Sequence, residues 1–192
     1  MEQTPPETRS APRRRQPEIL RRRLLDAAAA LAVGGGVQAV TIEAVARAAG
    51  VTKGGLFHHF PDKEALIDAL LRDLLDLFDA EIDRAMAKDP EQRGCFTRAW
   101  IRATLDPAIA ASAPLNAVLL MNTRMREVWS DWLRARLLRH AATDSDPWFS
   151  VLRHAADGFW LADLWQVQPD LRAPSATIRD QLLALTLKEP GP

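Results

Sequence analysis

Apolar residues recur at spacings of three and four along most of this chain, in runs that glycine, proline and polar residues interrupt. Such a period is typical of amphipathic helices. The early runs predict a helix over residues 18–33, which the glycine triplet at 34–36 ends, and a long helix over residues 62–88. The residues expected on the buried side of the long helix are Leu66, Leu70, Leu74, Leu77, Phe78, Ile82 and Met86. Further helices are predicted over residues 95–106, 115–141, 148–166 and 175–187. Asp146 is expected to cap the helix that ends at Gln166, with Pro147 at its first position. Because Ala, Leu and Arg dominate while β-branched residues are sparse, the composition also favours an all-α fold.

Residues 41–63, with the sequence TIEAVARAAGVTKGGLFHHFPDK, predict two short helices joined by a tight turn. Thr41 and Thr52 each precede an apolar run, and threonine is a residue type that caps helix N-termini. Gly50 follows the first run, where the C-terminus of a helix favours a positive φ. Pro61 ends the second helix. Two capped helices around a tight turn indicate a helix-turn-helix.

Two adjacent glycines, Gly54 and Gly55, lie in the first turn of the second short helix. Glycine costs a helix about 1 kcal/mol relative to alanine. A helix that accepts this cost near an exposed N-terminus fits a backbone that must lie close to a large partner. Duplex DNA is one such partner, since the free N–H groups and partial positive charge of a helix N-terminus attract phosphate.

The same stretch resembles the DNA-binding domain of the TetR/AcrR family of transcriptional regulators. The residues that match the family's pattern of residue types are Thr41, the turn Ala49-Gly50-Val51-Thr52, then Lys53-Gly54, Leu56-Phe57 and His59-Phe60, and finally Lys63-Glu64-Ala65-Leu66. The match covers roughly the first third of the chain. Phe57 departs from the pattern, because the family usually has a phosphate-contacting Tyr there and this chain contains no Tyr.

The resemblance implies a role in DNA binding for one group of residues in this stretch. They are Thr41, Thr52, Lys53, Gly54, Gly55, Phe57, His58 and Lys63. Thr41, Thr52 and Lys63 are expected to contact phosphates. Lys53, His58 and the two glycines are expected to face the major groove, where lysine can donate to guanine and glycine lets the backbone approach a thymine methyl. The alternative is that these residues form only the solvated face of a small helical hairpin.

Charge is distributed unevenly, although the 25 Lys and Arg balance the 25 Asp and Glu. Residues 1–63 hold 10 basic and 6 acidic side chains, whereas the rest of the chain holds 15 and 19. The excess of basic over acidic side chains in residues 1–63 indicates that the N-terminal part binds an anion. Within it, residues 1–17 carry four prolines and four arginines and predict a disordered basic arm. That arm either lies along phosphates or in a minor groove, or it is a solvated tail without a specific role.

The chain is predicted to consist of the arm at 1–17, a helix-turn-helix DNA-binding domain at 18–63 and a helical domain at 64–192. All six tryptophans lie after Gly94, so the last domain has a different role from the first. The single cysteine, Cys95, excludes an intrachain disulfide framework and fits a reducing compartment, so we expect a cytoplasmic protein that meets the nucleoid through DNA. No apolar run reaches the roughly 18 residues of a membrane span, and no secretory signal is expected.

The resemblance also implies that the C-terminal domain holds a small effector among its central helices. The candidate lining residues are Trp100, Thr104, Met121, Asn122, Met125 and Trp129. Met and Trp supply adaptable apolar walls and Asn122 can fix a polar group, which suits a small apolar effector. Plain packing in the core is the alternative for each of these residues.

The last two helices are expected to form a homodimer interface, as they do in the resembled family. The candidate residues are Val151, Ala155, Gly158, Ala162 and Trp165 on one helix and Ile178, Leu182 and Leu185 on the other. A helix that is apolar on several sides is buried on several sides, and Gly158 permits close approach of another helix. Dimerisation would double the contacts of one short helix on a palindromic site. An ordinary monomer core is the alternative.

Motifs for catalysis or for cofactor binding are not found in the sequence. GGGVQA at residues 34–39 formally fits a dinucleotide fingerprint, but a helix precedes it and no βαβ pattern surrounds it. His154 and Asp157 are three residues apart without an accompanying nucleophile motif, so an interface hydrogen bond or a solvated pair is expected. We therefore expect no enzymatic activity, no cofactor and no metal site.

Taken together, these features predict a sequence-specific DNA-binding transcriptional regulator with an N-terminal three-helix domain and a C-terminal effector-binding and dimerisation domain. They favour a repressor that a small-molecule effector releases from a palindromic operator. One alternative is an activator, or a regulator without a small-molecule ligand, that has the same DNA chemistry. The other alternative is an all-α enzyme or adaptor that shares only its fold with the resembled family. The DNA affinity of such a protein would not depend on salt concentration.

Overall fold

The structure, a computed structural model, describes residues 15–106, 123–165 and 173–188. Within these ranges the regular secondary structure is helical, which confirms the all-α prediction. The helices are α1 (Arg15–Ala39), α2 (Ile42–Ala48), α3 (Lys53–Phe57), α4 (Lys63–Ala87), α5 (Cys95–Thr104), α6 (Thr123–Arg139), α7 (Ala141–Asp144), α8 (Pro147–Leu164) and α9 (Ser175–Thr186). None of these described helices combines the length and the apolar character that a membrane crossing requires.

The chain divides into two compact units, Met1–Leu70 and Leu71–Pro192, and the division falls inside α4. The first unit contains α1, α2, α3 and the start of α4. The second contains the rest of α4 and the described helices from α5 to α9. The polar stretch at residues 89–94 lies within the second unit.

Apolar residues at helical spacing form the core of the first unit. α1 packs against α2, and α2 packs against α3. The fully buried side chains of this core are Leu24, Ala28, Ala32, Val45, Leu56 and Leu66. Phe60, just after α3, is 3% exposed and adds an aromatic ring to the same core. Because α2 and α3 are short, this burial and not the intrinsic stability of each helix holds them in place.

α1 begins at Arg15, three residues earlier than the sequence predicts. Pro17 is tolerated in the first turn because the N–H groups there have no intrahelical partner. The glycine triplet breaks the helix as predicted, since Gly35 has φ −146° and ψ 16° and Gly36 has φ 72° and ψ 177°. A short helical segment follows the break and ends at Ala39.

α5 lies at the centre of the second unit and is buried along nearly its whole length. α8 packs against both α5 and α9, and α9 also packs against α5. The largest buried side chains of this core are Ile82, Phe96, Trp100, Ile101, Phe149 and Leu152. Asp146 caps α8 as predicted, because its carboxylate accepts a hydrogen bond from the Trp148 N–H at 2.9 Å.

The N-terminus of α5 is capped by a carboxylate from another helix. Asp144 of α7 is 4% exposed and accepts hydrogen bonds from the backbone N–H groups of Phe96 (3.3 Å) and Thr97 (2.7 Å). The Thr97 hydroxyl donates to the same carboxylate at 2.6 Å. The residue that precedes α5, Gly94, has no side chain to supply this cap. Asp144 therefore satisfies N–H groups that would otherwise be buried without a partner.

A buried ion pair fixes the polar loop that leads into α5. The side chains of Arg98 and Asp89 are 3% and 4% exposed and lie 2.7 Å apart, and Arg102 reaches Asp89 at 3.2 Å. Burial by itself would raise the pKa of Asp89, but the hydrogen bonds from Arg98, from the backbone N–H of Glu91 and from Arg102 lower it overall. Removing one partner would leave a buried charge without compensation.

The buried side of α4 differs from the predicted one at Leu77, which is 58% exposed. Leu71 and Leu75, on the neighbouring stripe of the helix, are 4% and 7% exposed instead. The polar residue Asp79 accepts a hydrogen bond from Trp132 Nε1 at 2.9 Å and forms an ion pair with Arg136 of α6. Contacts to α6 therefore include polar positions of α4, which an apolar pattern alone does not identify.

We predict that Gly94→Ala destabilises the protein by about 2–5 kcal/mol. Gly94 has φ 73°, and a Cβ atom there would lie 2.7 Å from two ring atoms of Phe149. Phe149 is 1% exposed, so its ring cannot move aside freely. The estimate adds about 1–2 kcal/mol for a left-handed backbone to about 1–3 kcal/mol for overpacking. Urea unfolding followed by circular dichroism measures the change.

Gly34→Ala is the matched control for this substitution. Beyond its chain neighbours and the backbone of α1, none of the residues that the structure describes has an atom within 4 Å of a Cβ at Gly34. Alanine also raises helix propensity there, so stability should stay the same or rise by up to about 1 kcal/mol. Equal stabilities for Gly94→Ala and the wild type would contradict the steric argument.

Candidate nucleic-acid interface

Threonine side chains begin both helices of the helix-turn-helix, as the sequence predicts. Thr41 has an extended backbone, and its hydroxyl oxygen accepts a hydrogen bond from the Ala44 N–H at 3.1 Å. Thr52 does the same for α3 and accepts from the Gly55 N–H at 3.1 Å. Both threonines are exposed. Because a hydroxyl that accepts a capping bond still has its own O–H to donate, each can also bond to a phosphate.

The turn between α2 and α3 is a Schellman motif around Gly50, whose φ is 67°. The Gly50 N–H donates to the Arg47 carbonyl at 3.1 Å, and the Val51 N–H donates to the Ala46 carbonyl at 2.9 Å. These bonds satisfy the last carbonyls of α2. The positive φ predicted for Gly50 is therefore confirmed, and it sets the direction in which the chain enters α3.

The arginine run at the start of α1 stabilises the first unit. Arg23 donates from Nη2 to the carbonyl of Ala49 at 2.7 Å, next to the turn. The guanidinium of Arg21 lies 5.3 Å from the centroid of the Phe60 ring, which is a cation–π contact. Arg22 bonds to Asp26 one helical turn along, at 2.8 Å. Part of the N-terminal excess of positive charge is thus bound within the protein itself.

α3 presents a set of exposed side chains that we call the α3 surface, namely Lys53, Gly54, Phe57 and His58. The opposite side of α3 is anchored by Leu56, which is fully buried. The Phe57 ring is 49% exposed, so it is not part of the core although it is aromatic. Lys63, at the first position of α4, is half-buried, and Asp62 caps that helix through a 2.7 Å bond from the Ala65 N–H.

The two glycines of α3 are not required by the packing of the protein. A Cβ at Gly54 would have Thr52 Oγ1 as its nearest neighbour, at 3.9 Å. A Cβ at Gly55 would lie 3.4 Å from the same atom and 3.9 Å from the Cβ of Val51, which are ordinary contacts. Neither glycine has a positive φ. Their lack of a side chain therefore serves no need of this fold.

Lys53 forms an ion pair with Glu43, which lies in the first turn of α2. The two side chains are 57% and 59% exposed. The pKa of Glu43 is lowered, first by the hydrogen bond from Lys53, then by a hydrogen bond with its own backbone and by the attraction of the lysine charge. Glu43 is not among the residues predicted from the sequence, because its partner is ten residues away on another helix.

Of the predicted effector residues, the structure brings Trp100 and Trp129 together, with ring centroids 6.1 Å apart. They belong to an aromatic cluster formed by Phe78, Phe96, Trp100, Trp129 and Trp132. Thr104 is buried on α5. Met121 and Asn122 lie outside the described residues, and so does the side chain of Met125.

A half-buried carboxylate, Asp157 of α8, borders this aromatic cluster. It accepts a hydrogen bond from Trp100 Nε1 at 2.9 Å, and burial raises its pKa. His154 instead contacts the Ser150 carbonyl through Nδ1 at 2.7 Å. The expected solvated pair of His154 and Asp157 is therefore wrong, because the two side chains have different hydrogen-bond partners.

The predicted dimer residues of α8 form a stripe that we call the α8 stripe, namely Val151, Ala155, Gly158, Ala162 and Trp165. Val151 and Trp165 are 56% and 64% exposed, Gly158 is exposed, and the two alanines are half-buried. The α9 residues differ from this stripe. Leu182 is 7% exposed within the core of its own chain, and Ile178 and Leu185 pack partly against that core. Little of Leu182 is left to contact a second copy.

Comparisons with known proteins agree with this architecture. Residues 24–70 match the family model of bacterial regulatory proteins of the tetR family, and residues 94–187 match that of the tetracyclin repressor-like C-terminal domain. The HTH-type transcriptional repressor KstR of Rhodococcus jostii is 32% identical, over 88% of this chain and 81% of the relative. The HTH-type transcriptional repressor KstR2 of the same organism is 28% identical, over 87% of this chain and 89% of the relative.

Solved structures show the same fold. A transcriptional regulator from Pseudomonas aeruginosa PAO1 superposes with a TM-score of 0.70 at 18% identity, over 91% of this chain and 94% of the other. The ketosteroid transcriptional regulator KstR2 of Mycobacterium tuberculosis superposes with a TM-score of 0.58 at 22% identity, over 87% of this chain and 92% of the other.

A capped helix-turn-helix followed by a separate helical unit defines a DNA-binding regulator of the helix-turn-helix class. The family models cover most of the chain, so the protein belongs to the TetR family and is a transcriptional repressor. TetR-family repressors bind DNA and act as dimers, and the relatives of this chain are transcriptional regulators and not enzymes.

We predict that Gly54→Ala leaves the fold intact and weakens DNA binding. The free energy of unfolding should stay the same or rise by up to about 1 kcal/mol, because alanine favours helix and fits the available space. If the α3 backbone lies against DNA, the added methyl group overpacks the interface by about 1–3 kcal/mol, or about 5- to 150-fold in affinity. Fluorescence anisotropy with a duplex selected from a random library measures it. If Gly54→Ala binds DNA as tightly as the wild type, the α3 backbone does not lie close to DNA at this position.

Proposed function

We propose that this repressor binds a palindromic operator as a homodimer and that a small, largely apolar effector releases it. The observation that carries the proposal is the α3 surface. It is fixed by two threonine caps and a Schellman turn, and the two glycines of α3 serve no need of the fold itself. A rigid, exposed helix start with open backbone suits entry into a major groove.

We infer the DNA contacts from the position of each side chain. Thr41 and Thr52 begin two helices whose N-terminal N–H groups favour phosphate, and each hydroxyl has a proton to donate. Lys53 and His58 are exposed and are proposed to reach base edges, with lysine donating to guanine acceptors. Lys63 is proposed to contact a phosphate at the edge of the site.

The α8 stripe supports the dimer. Gly158 lies in the interior of α8, where glycine costs about 1 kcal/mol relative to alanine. Apart from its chain neighbours and the backbone of α8 itself, none of the described residues has an atom within 4 Å of a Cβ built there. The neighbouring Ala155 and Ala162 are also small, and Val151 and Trp165 leave apolar surface exposed. A second copy that packs its own α8 closely against this stripe would bury that surface and make use of the glycine.

The effector is proposed from the aromatic composition of the second unit. Trp100, Trp129 and Asp157 combine apolar surface with one carboxylate of raised pKa, which is the mixture that ligand sites use. One similar structure is that of the ketosteroid transcriptional regulator KstR2, and another is that of the multidrug binding protein EbrR in complex with malachite green. To release the repressor, the effector must bind the DNA-free conformation more tightly than the DNA-bound one. The coupling free energy between effector binding and DNA binding is typically about 1–3 kcal/mol.

A regulator without a small-molecule ligand is the second candidate. The rings of Phe78, Trp100, Trp129 and Trp132 lie 5.0 to 6.2 Å apart, centroid to centroid, so in the described part of the second unit they pack against each other. A core filled in this way needs no ligand for its stability. Titrating apolar ligands against the protein–operator complex separates the two candidates, because only the first predicts release.

We predict that Lys53→Ala and Lys63→Ala weaken DNA binding in different ways. If Lys53 reads a base, its loss should cost about 1–3 kcal/mol on the operator and relax sequence preference. Lys63→Ala should weaken binding to all duplexes alike and reduce the slope of log affinity against log salt by about 0.9. Anisotropy titrations at several salt concentrations give both quantities.

Lys88→Ala, an exposed lysine in the second unit, is the control for these two variants and should bind like the wild type. Operator binding by Lys53→Ala at wild-type strength would rule out the base contact. An affinity of the wild-type protein that did not change with salt would argue against phosphate contacts altogether.

We predict that Gly158→Leu dissociates the homodimer while the monomer stays folded. Gly158 is exposed, and a Cβ built there has open space among the described residues, so leucine should leave the monomer folded. It should separate two α8 helices that approach at the glycine. Sedimentation equilibrium should show a dissociation constant raised at least about 100-fold, which corresponds to about 2.8 kcal/mol. Gly34→Leu, another exposed helical glycine with open space, should remain dimeric. A dimeric Gly158→Leu would refute this interface.

A further inference from the structure

An acidic residue lies among the proposed phosphate contacts. Glu43 belongs to the first turn of α2, two residues after Thr41, and its side chain is 59% exposed. A carboxylate there is favourable for α2 itself, because the N-terminus of a helix attracts negative charge. It is unfavourable for DNA binding, since every duplex brings phosphates to this side of the protein if the proposed function holds.

The partner of Glu43 is the lysine that is proposed to read bases. Lys53 Nζ donates to Glu43 Oε1, and Lys53 is the first residue of α3. An ion pair between exposed side chains is weak, so DNA can compete for the lysine. In the free protein, Lys53 is therefore bound to Glu43, although it lies at the start of the helix that is proposed to enter the major groove.

We propose that Glu43 is a specificity-determining residue that restrains Lys53 from phosphate contacts and so weakens binding to non-operator DNA. This proposal rests on the DNA role of Lys53 given above. It concerns a residue whose negative charge repels phosphate. Specificity is a difference between two affinities, and it increases when the wrong partner is penalised.

The restraint acts through a competition for one positive charge. On a duplex that offers only phosphates to Lys53, the lysine can neutralise either a phosphate or Glu43, and the other anion is left without compensation. On an operator that offers guanine acceptors, the lysine has three N–H donors and can bond the base while Glu43 stays neutralised beside it. Glu43 therefore lowers affinity for random sequences more than it lowers affinity for the operator.

The test compares four proteins, namely wild type, Glu43→Gln, Lys53→Ala and the double variant. Each is titrated with the selected operator duplex and with a scrambled duplex of equal length, at several salt concentrations. Glu43→Gln should bind the scrambled duplex about 3- to 5-fold more tightly, the size expected for releasing one exposed ion pair. The salt slope on that duplex should steepen by about 0.9, because one more phosphate contact is made. Operator affinity should change by less than about 2-fold.

Glu18→Gln is the matched control, because it removes one exposed carboxylate from the same unit but from α1. It should leave the salt slope on both duplexes unchanged. In the Lys53→Ala background, Glu43→Gln should no longer steepen the salt slope, because no lysine is released. Circular dichroism checks that each variant is folded.

Different outcomes separate this proposal from the function on which it depends. If Lys53→Ala binds the operator as the wild type does, the DNA role of Lys53 fails, and the restraint fails with it. If Lys53→Ala weakens operator binding but Glu43→Gln behaves like Glu18→Gln, the DNA role stands and the restraint is refuted. A loss of operator affinity in Glu43→Gln would show that Glu43 positions Lys53 for the operator, which also overturns the proposal.

Discussion

The left-handed backbone of Gly50 is the constraint on which the recognition part of this repressor depends. α3 has only five residues and cannot be stable as an isolated helix. Its position is set by the Schellman turn on one side and by the buried Leu56 and Phe60 on the other. The Thr52 cap then fixes the residue at which the helix begins. A residue with a side chain at Gly50 would strain the turn and displace the whole α3 surface.

The second unit uses buried polar groups where the first uses local caps. α5 has no cap of its own, and Asp144 supplies one from 47 residues away in sequence, while the Arg98–Asp89 pair holds the preceding loop. These groups are satisfied only when α5, α7 and the loop are all in place. The central helix of this unit is therefore stable only as part of the assembled whole, whereas α2 and α3 are specified mainly by residues next to them.

The sequence predicted the fold where the signals are local. Threonine caps, Gly50 and the Asp146–Pro147 start of α8 determine structure within a few residues, and the structure confirms them. Pairings between distant residues could not be predicted, because nothing in the neighbourhood of Glu43 indicates Lys53 as its partner. The exposure of Leu77 was missed because polar contacts of α4 to α6 shift its buried side. The roles of the α3 surface in binding DNA stay predictions.

The exposed ring of Phe57 has a consequence for the thermodynamics of operator binding. In the proposed complex, a ring that is 49% exposed in the free protein leaves water, where the family usually has a phenol that bonds to phosphate. Burial of apolar surface carries a negative heat-capacity change and is not screened by ions. Association of this repressor with DNA should therefore retain a component that persists in concentrated salt, and its enthalpy should become more favourable on warming.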